Sequence, residues 1–96
     1  MSDVTITRHE GNGSGEYRAQ VQDSPHIGRL TWVEHGGVRI ADHTLVPPQI
    51  GGRGIAAKLV DALMEDARAH GFKVRPDCSY VAAKFNEHPE WADLRA

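Results

Sequence analysis

The sequence predicts an α/β fold of the α+β kind: a mixed, mostly antiparallel five-stranded sheet with one long helix and one or two short C-terminal helices. Three observations carry this. The first half of the chain alternates apolar and polar residues with a period of two, as strands do. From Arg53 the period lengthens to that of a helix. Beyond Gly71 a short apolar run leads into a second helical pattern.

Four segments carry the strand pattern in order: "VTITRHE", "GEYRAQVQ", "HIGRLTWVEHG" and "VRIADHTLV". Clusters of glycine, asparagine, aspartate and proline separate them. The turns at "EGNGSGE" and "EHGG" are short enough for antiparallel neighbours, so a four-strand meander is the simplest arrangement. The helix follows, with Ile55, Ala56, Leu59, Val60, Leu63 and Ala67 on one face and Lys58, Asp61, Glu65 and Arg68 on the other. Arg68 and His70 suit the negative end of its dipole, and Gly71 suits the left-handed position after it. "FKVRPDC" fits a fifth strand stopped by Pro76. "SYVAAKFNEH" fits a short helix halted by Pro89, and "EWADLRA" a final turn that packs Trp91 and Leu94. A strand, helix, strand passage implies a right-handed crossover, which makes the fourth and fifth strands parallel.

Ninety-six residues suit one domain, 1–96. A composition 40% hydrophobic and 25% charged, with net charge −2, is that of an ordinary globular protein. The small negative charge argues against nucleic acid or an acidic membrane surface as partner, and confines any anion site to a local patch. No apolar run approaches the roughly 20 residues that span a bilayer, and "MSDVTITRHEG" lacks the pattern of a leader, so a cytoplasmic location is expected. The lone Cys78 excludes an internal disulfide and a thiolate zinc cluster, and the histidines show no ligand spacing, so no metal is expected. A monomer or weak homodimer is the working expectation.

"PPQIGGRGIAA", residues 47–57, places two prolines and three glycines before the long helix. A helix leaves its first N–H groups without partners, and a serine, threonine, aspartate or asparagine normally caps them. Here the cap positions fall on Gly51 and Gly52, which carry no side-chain acceptor. Their donors stay open to water or an anion, and Arg53 adds a fork of donors beside them. Loop punctuation is the plain alternative. Spacing excludes a P-loop, since Leu59 and not serine or threonine follows Lys58. "GRGIAA" satisfies G-x-G-x-x-A, but four strands already precede it, which is the wrong context for a dinucleotide fingerprint.

Gln49, Gly52 and Gly54 spell Q-x-x-G-x-G, and Ile55-Ala56 opens the helix. This resembles the acetyl-coenzyme A loop of the GNAT superfamily of N-acyltransferases. "HTLVP" at 43–47, "GRGIA" at 52–56, Leu59, Leu63 and "CSYV" at 78–81 resemble more closely the small single-domain GNAT-like acetyltransferases. The resemblance implies a sheet splayed between the fourth and fifth strands, with the coenzyme's pantetheine arm in the opening. It implies that Leu45 and Val46 hydrogen-bond that arm and that backbone around Gly51, Gly52, Arg53, Gly54, Ile55 and Ala56 holds the pyrophosphate. An extended polyamide suits strand addition and a diphosphate suits a helix N-terminus, so chemistry agrees with that division.

A strand histidine is ordinarily structural, but an imidazole titrates near working pH, and the "HTLVP" resemblance makes His43 the candidate general base. Cys78 has two functional readings, an acyl-accepting nucleophile activated by His43 or a helix N-terminus, and a thiol that lines the acetyl pocket. Tyr80 is the candidate acid, by analogy with larger relatives, against a plain packing role. Lys84 is a surface lysine or a phosphate contact. The reading is acetyl transfer from acetyl-coenzyme A to a primary amine, of a small molecule or a protein lysine. A coenzyme A-binding or interaction module with little catalysis is the alternative, and a plain nucleotide binder the third.

Overall fold

The computed structural model describes residues 3–96. Met1 and Ser2 lie outside the described residues. Strands β1 (Val4–Gly11), β2 (Ser14–Val21), β3 (Ile27–His35) and β4 (Val38–Leu45) form the expected antiparallel meander. A 3-10 turn (Pro48–Ile50) leads to helix α1 (Ile55–His70), and β5 (Lys73–Pro76) returns parallel to β4. Helix α2 (Ser79–Glu87) and a 3-10 segment (Pro89–Leu94) complete the chain. The five-stranded sheet runs in sequence order, β1 to β5.

The period of two decides which face of the sheet is covered. Tyr17, Ala19 and Val21 of β2, Leu30 and Trp32 of β3, Ala41 of β4 and Val74 of β5 are buried. They meet Ile55, Leu59, Leu63, Met64 and Ala67 of α1, with Val81 and Phe85 of α2 and Leu94 joining from the C-terminal side. The alternate residues Glu16, Arg18, Arg29, Thr31 and Val33 remain partly exposed on the opposite, open face. Gly28 of β3 lies directly under the start of α1. A Cβ there would come within 2.9 Å of Ile55 Cγ2, so the missing side chain sets how closely helix and sheet approach.

Two boundaries differ from expectation, and both bear on the site. The long helix starts at Ile55, two residues after Arg53, because Gly52 and Gly54 take left-handed backbone (φ 76° and 70°). Its N-cap is therefore Gly54 and not Gly51 or Gly52. The second difference lies within β4, where Thr31 of β3 pairs with His43 but the next residue, Trp32, pairs with Ala41. Asp42 is thus the extra residue of a β-bulge, a feature that leaves no mark in an apolar–polar pattern.

Candidate functional site

Parallel pairing of β4 with β5 is brief, running from Val38–Lys73 to Ala41–Pro76. One further backbone bond, from the Cys78 N–H to the Ala41 carbonyl (2.9 Å), closes it. Beyond that rung β4 continues through Asp42, His43, Thr44 and Leu45, while the other chain turns into α2. The strands part at Ala41, which is the expected splay. Pro76 limits the ladder, since proline has no N–H to extend it and stops a strand.

The glycine loop sits at the same end. Ile50 is fully buried and anchors the 3-10 turn, which Pro47 and Pro48 start. Gln49 is exposed on that turn. The Gly51 N–H donates to the Pro48 carbonyl (3.1 Å), so this glycine shapes the loop and its donor is committed within it. The N–H groups of Gly52, Arg53, Gly54, Ile55 and Ala56 find no backbone acceptor among the described residues. Gly54 provides no side-chain cap, and Cβ atoms built on Gly52 and Gly54 would meet nothing within 4 Å. Open donors facing open space at the positive end of a 16-residue helix match what a diphosphate needs. The Arg53 guanidinium, expected to offer its donors to an anion, instead bonds Asp23 at 2.9 Å and lies 3.6 Å from Asp3. Its share in the loop is its backbone N–H.

Strand alternation separates the candidate catalytic side chains. Thr44 pairs with the buried Leu30 and so points to the helix-covered face, where its Oγ1 lies 3.5 Å from Cys78 Sγ. His43 and Leu45 pair with Thr31 and Arg29 and point to the open face. His43 is exposed, and Cys78 bonds Thr44 rather than His43. The groups that contact the Cys78 thiol are thus Thr44 and the start of α2. Burial pushes the thiol's pKa up, but the Thr44 hydroxyl and the N–H groups of Val81, Tyr80 and Thr44 outweigh it, leaving Cys78 below its ordinary value. Tyr80 is half-buried one turn before Lys84, whose ammonium lies 5.5 Å from the Tyr80 ring centroid and 3.3 Å from Glu87. Lys84 is thus packed and paired, with 20% of its side chain exposed.

The profile of the GCN5-related N-acetyl-transferase family matches residues 16–94. The chain belongs to that family. For a GCN5-related N-acetyltransferase the order of elements is now accounted for, from the meander through the glycine loop and α1 to the parallel β5. The family as a whole transfers acetyl groups, and its match covers every candidate residue from His43 to Tyr80. Thr44 and Asp42 were missed from the sequence. Thr44 becomes visible only through the strand alternation that puts it beside Cys78, and Asp42 only through the bulge.

Proposed function

We propose that this N-acetyltransferase transfers the acetyl group of acetyl-coenzyme A to a primary amine, on a small molecule or a protein lysine. The observation that carries the reading is the coincidence of two features: β4 and β5 part after Ala41, and uncapped N–H groups lie at the adjacent start of α1. Acetyl-coenzyme A, when bound, supplies the activated acyl group. The residues that would hold it are Leu45 and Val46 through extended backbone, and Gly52, Arg53, Gly54, Ile55 and Ala56 through N–H groups. His43, exposed on the open face, takes the proton of the incoming amine, directly or through water. Tyr80, at the first turn of α2, is the phenol that returns a proton. Cys78, on the helix-covered side of β4, lines the opposite wall.

Isothermal titration with coenzyme A and acetyl-coenzyme A, then thioester consumption over a panel of amines, tests the reading. Micromolar binding with amine-dependent consumption is expected. Binding without consumption would leave a coenzyme-binding module, and no binding would overturn both. Because the nucleophile is a neutral amine, turnover should rise with pH, and His43→Gln should lower that rate by roughly 10²-fold or more, as loss of a general base does.

A further inference from the structure

Of the thirteen carboxylate side chains in the sequence, ten have a basic partner within 4 Å, among them Glu16 with Arg18 and Arg29, Asp66 with Arg8, and Asp77 with Arg75. The remaining three are Asp42, Asp61 and Glu65. Asp61 and Glu65 are exposed on the outer face of α1, where water solvates them fully. Asp42 alone is half-buried without a cation among the described residues. Its side-chain hydrogen bond among the described residues comes from the Thr31 hydroxyl, at 2.6 Å to Oδ1, a neutral donor that holds the carboxylate in place and brings no positive charge to it.

The position of this charge is informative. Asp42 is the bulge residue of β4, the first residue past the last rung to β5, and the neighbour in sequence of His43. Bulges re-aim side chains, and this one supplies an extra residue to the strand where the two strands part. Asp42 and Thr31 also line a broad open-face depression of about 620 Å³. On the same face, two residues past His43, stands Leu45, a large hydrophobic side chain left 64% exposed. A fixed carboxylate, a base and an exposed aliphatic side chain follow one another along four residues of one strand.

We infer that Asp42 is the recognition residue for the acceptor and that the acceptor is an alkylammonium, a cationic amine on an aliphatic chain, which approaches across the open face of the sheet. This rests on the transferase reading and narrows its substrate class. An amine in neutral water is protonated. Asp42 pairs the ammonium, Leu45 contacts the carbon chain, and His43 then removes the proton that must leave before the nitrogen can attack.

The test measures acceptor binding at equilibrium, so it does not depend on turnover. Nα-acetyl-lysine methylamide and its uncharged analogue Nα-acetyl-norleucine methylamide are titrated into wild type, Asp42→Asn and Asp42→Glu, with and without coenzyme A, followed by NMR chemical shifts. The wild type is expected to bind the lysine probe at least tenfold more tightly than the norleucine probe. Asp42→Asn should remove that preference without changing the norleucine affinity, and Asp42→Glu should keep part of it. Equal binding of the lysine probe by wild type and Asp42→Asn, or no preference in the wild type, overturns the assignment. Failure of the transferase reading would show separately, as absence of coenzyme binding or thioester consumption with the lysine preference intact.

Discussion

At the scale of single residues, two hydrogen-bonded pairs set the chemistry of the molecule's two ends. Cys78 is held by the Thr44 hydroxyl and by N–H groups at the start of α2, which together favour the thiolate over the thiol. The rate of iodoacetamide alkylation against pH should therefore titrate below the ordinary thiol range, and Thr44→Val should move that midpoint upward while Thr44→Ser keeps it. Cys78→Ala decides its role: retained acetyl transfer excludes a covalent step and leaves the thiol as a pocket wall. At the far end Asp66 accepts from Arg8 and from the buried Tyr17 hydroxyl, at 2.8 and 2.9 Å. Arg39 donates to the same hydroxyl, with its guanidinium between the Trp32 and Phe72 rings. Burial raises the Asp66 carboxyl, but its bonds to Arg8 and Tyr17 outweigh this and leave it below its usual pKa. A depressed acid stabilises the fold above its unfolded pKa and loses that contribution as pH falls through its folded one. Asp66→Asn should thus cost about 2 kcal/mol at pH 7, with the gap to wild type closing below about pH 4, as urea melts across pH would record.

At the scale of elements, the long helix and the sheet were legible because period and burial agree. Of the residues expected on the apolar face of α1, Ile55, Leu59, Val60, Leu63 and Ala67 are buried and Ala56, in the first turn, is partly exposed. The alternation of β2 and β3 likewise gave Tyr17, Ala19, Leu30 and Trp32 to the core. What sequence patterns hid is backbone geometry. Apolar periodicity marks where a helix can bury a face, not where left-handed glycines delay its first turn, so the cap moved from Gly51 and Gly52 to Gly54. A bulge likewise changes register without changing composition, which is why Asp42 escaped notice. Gly54→Ala tests the first point. A Cβ there meets open space but sits at φ 70°, so the variant should lose roughly 1–2 kcal/mol in a thermal or urea melt and bind coenzyme A more weakly. Gly28→Ala tests the packing beneath. Its Cβ presses on Ile55 at 2.9 Å, so a cost of about 1–3 kcal/mol is expected, with any loss of coenzyme affinity following from displacement of the start of α1.

At the scale of the whole molecule, a sheet covered by helices on one face and open on the other divides the proposed site between its two faces. The glycine loop, Thr44 and Cys78 belong to α1, α2 and the covered face, whereas Asp42, His43 and Leu45 belong to the open one. The order of elements, and hence the parting of β4 from β5, was readable from sequence because each element has its own pattern. The sidedness of His43 against Cys78 was not, since it depends on the pairing of β4 with β3 past the bulge. The parting itself is closed by one bond, from Cys78 N–H to Ala41 C=O. That amide is a built-in gauge of the cleft's breathing: its deuterium exchange reports how often the two strands separate further. Because an arm lying between the strands would oppose that separation, coenzyme A should slow exchange at Cys78 more than at Val74, one strand length away. The position of a single proton on a mass or NMR spectrum thus turns a static gap into a measured frequency of opening.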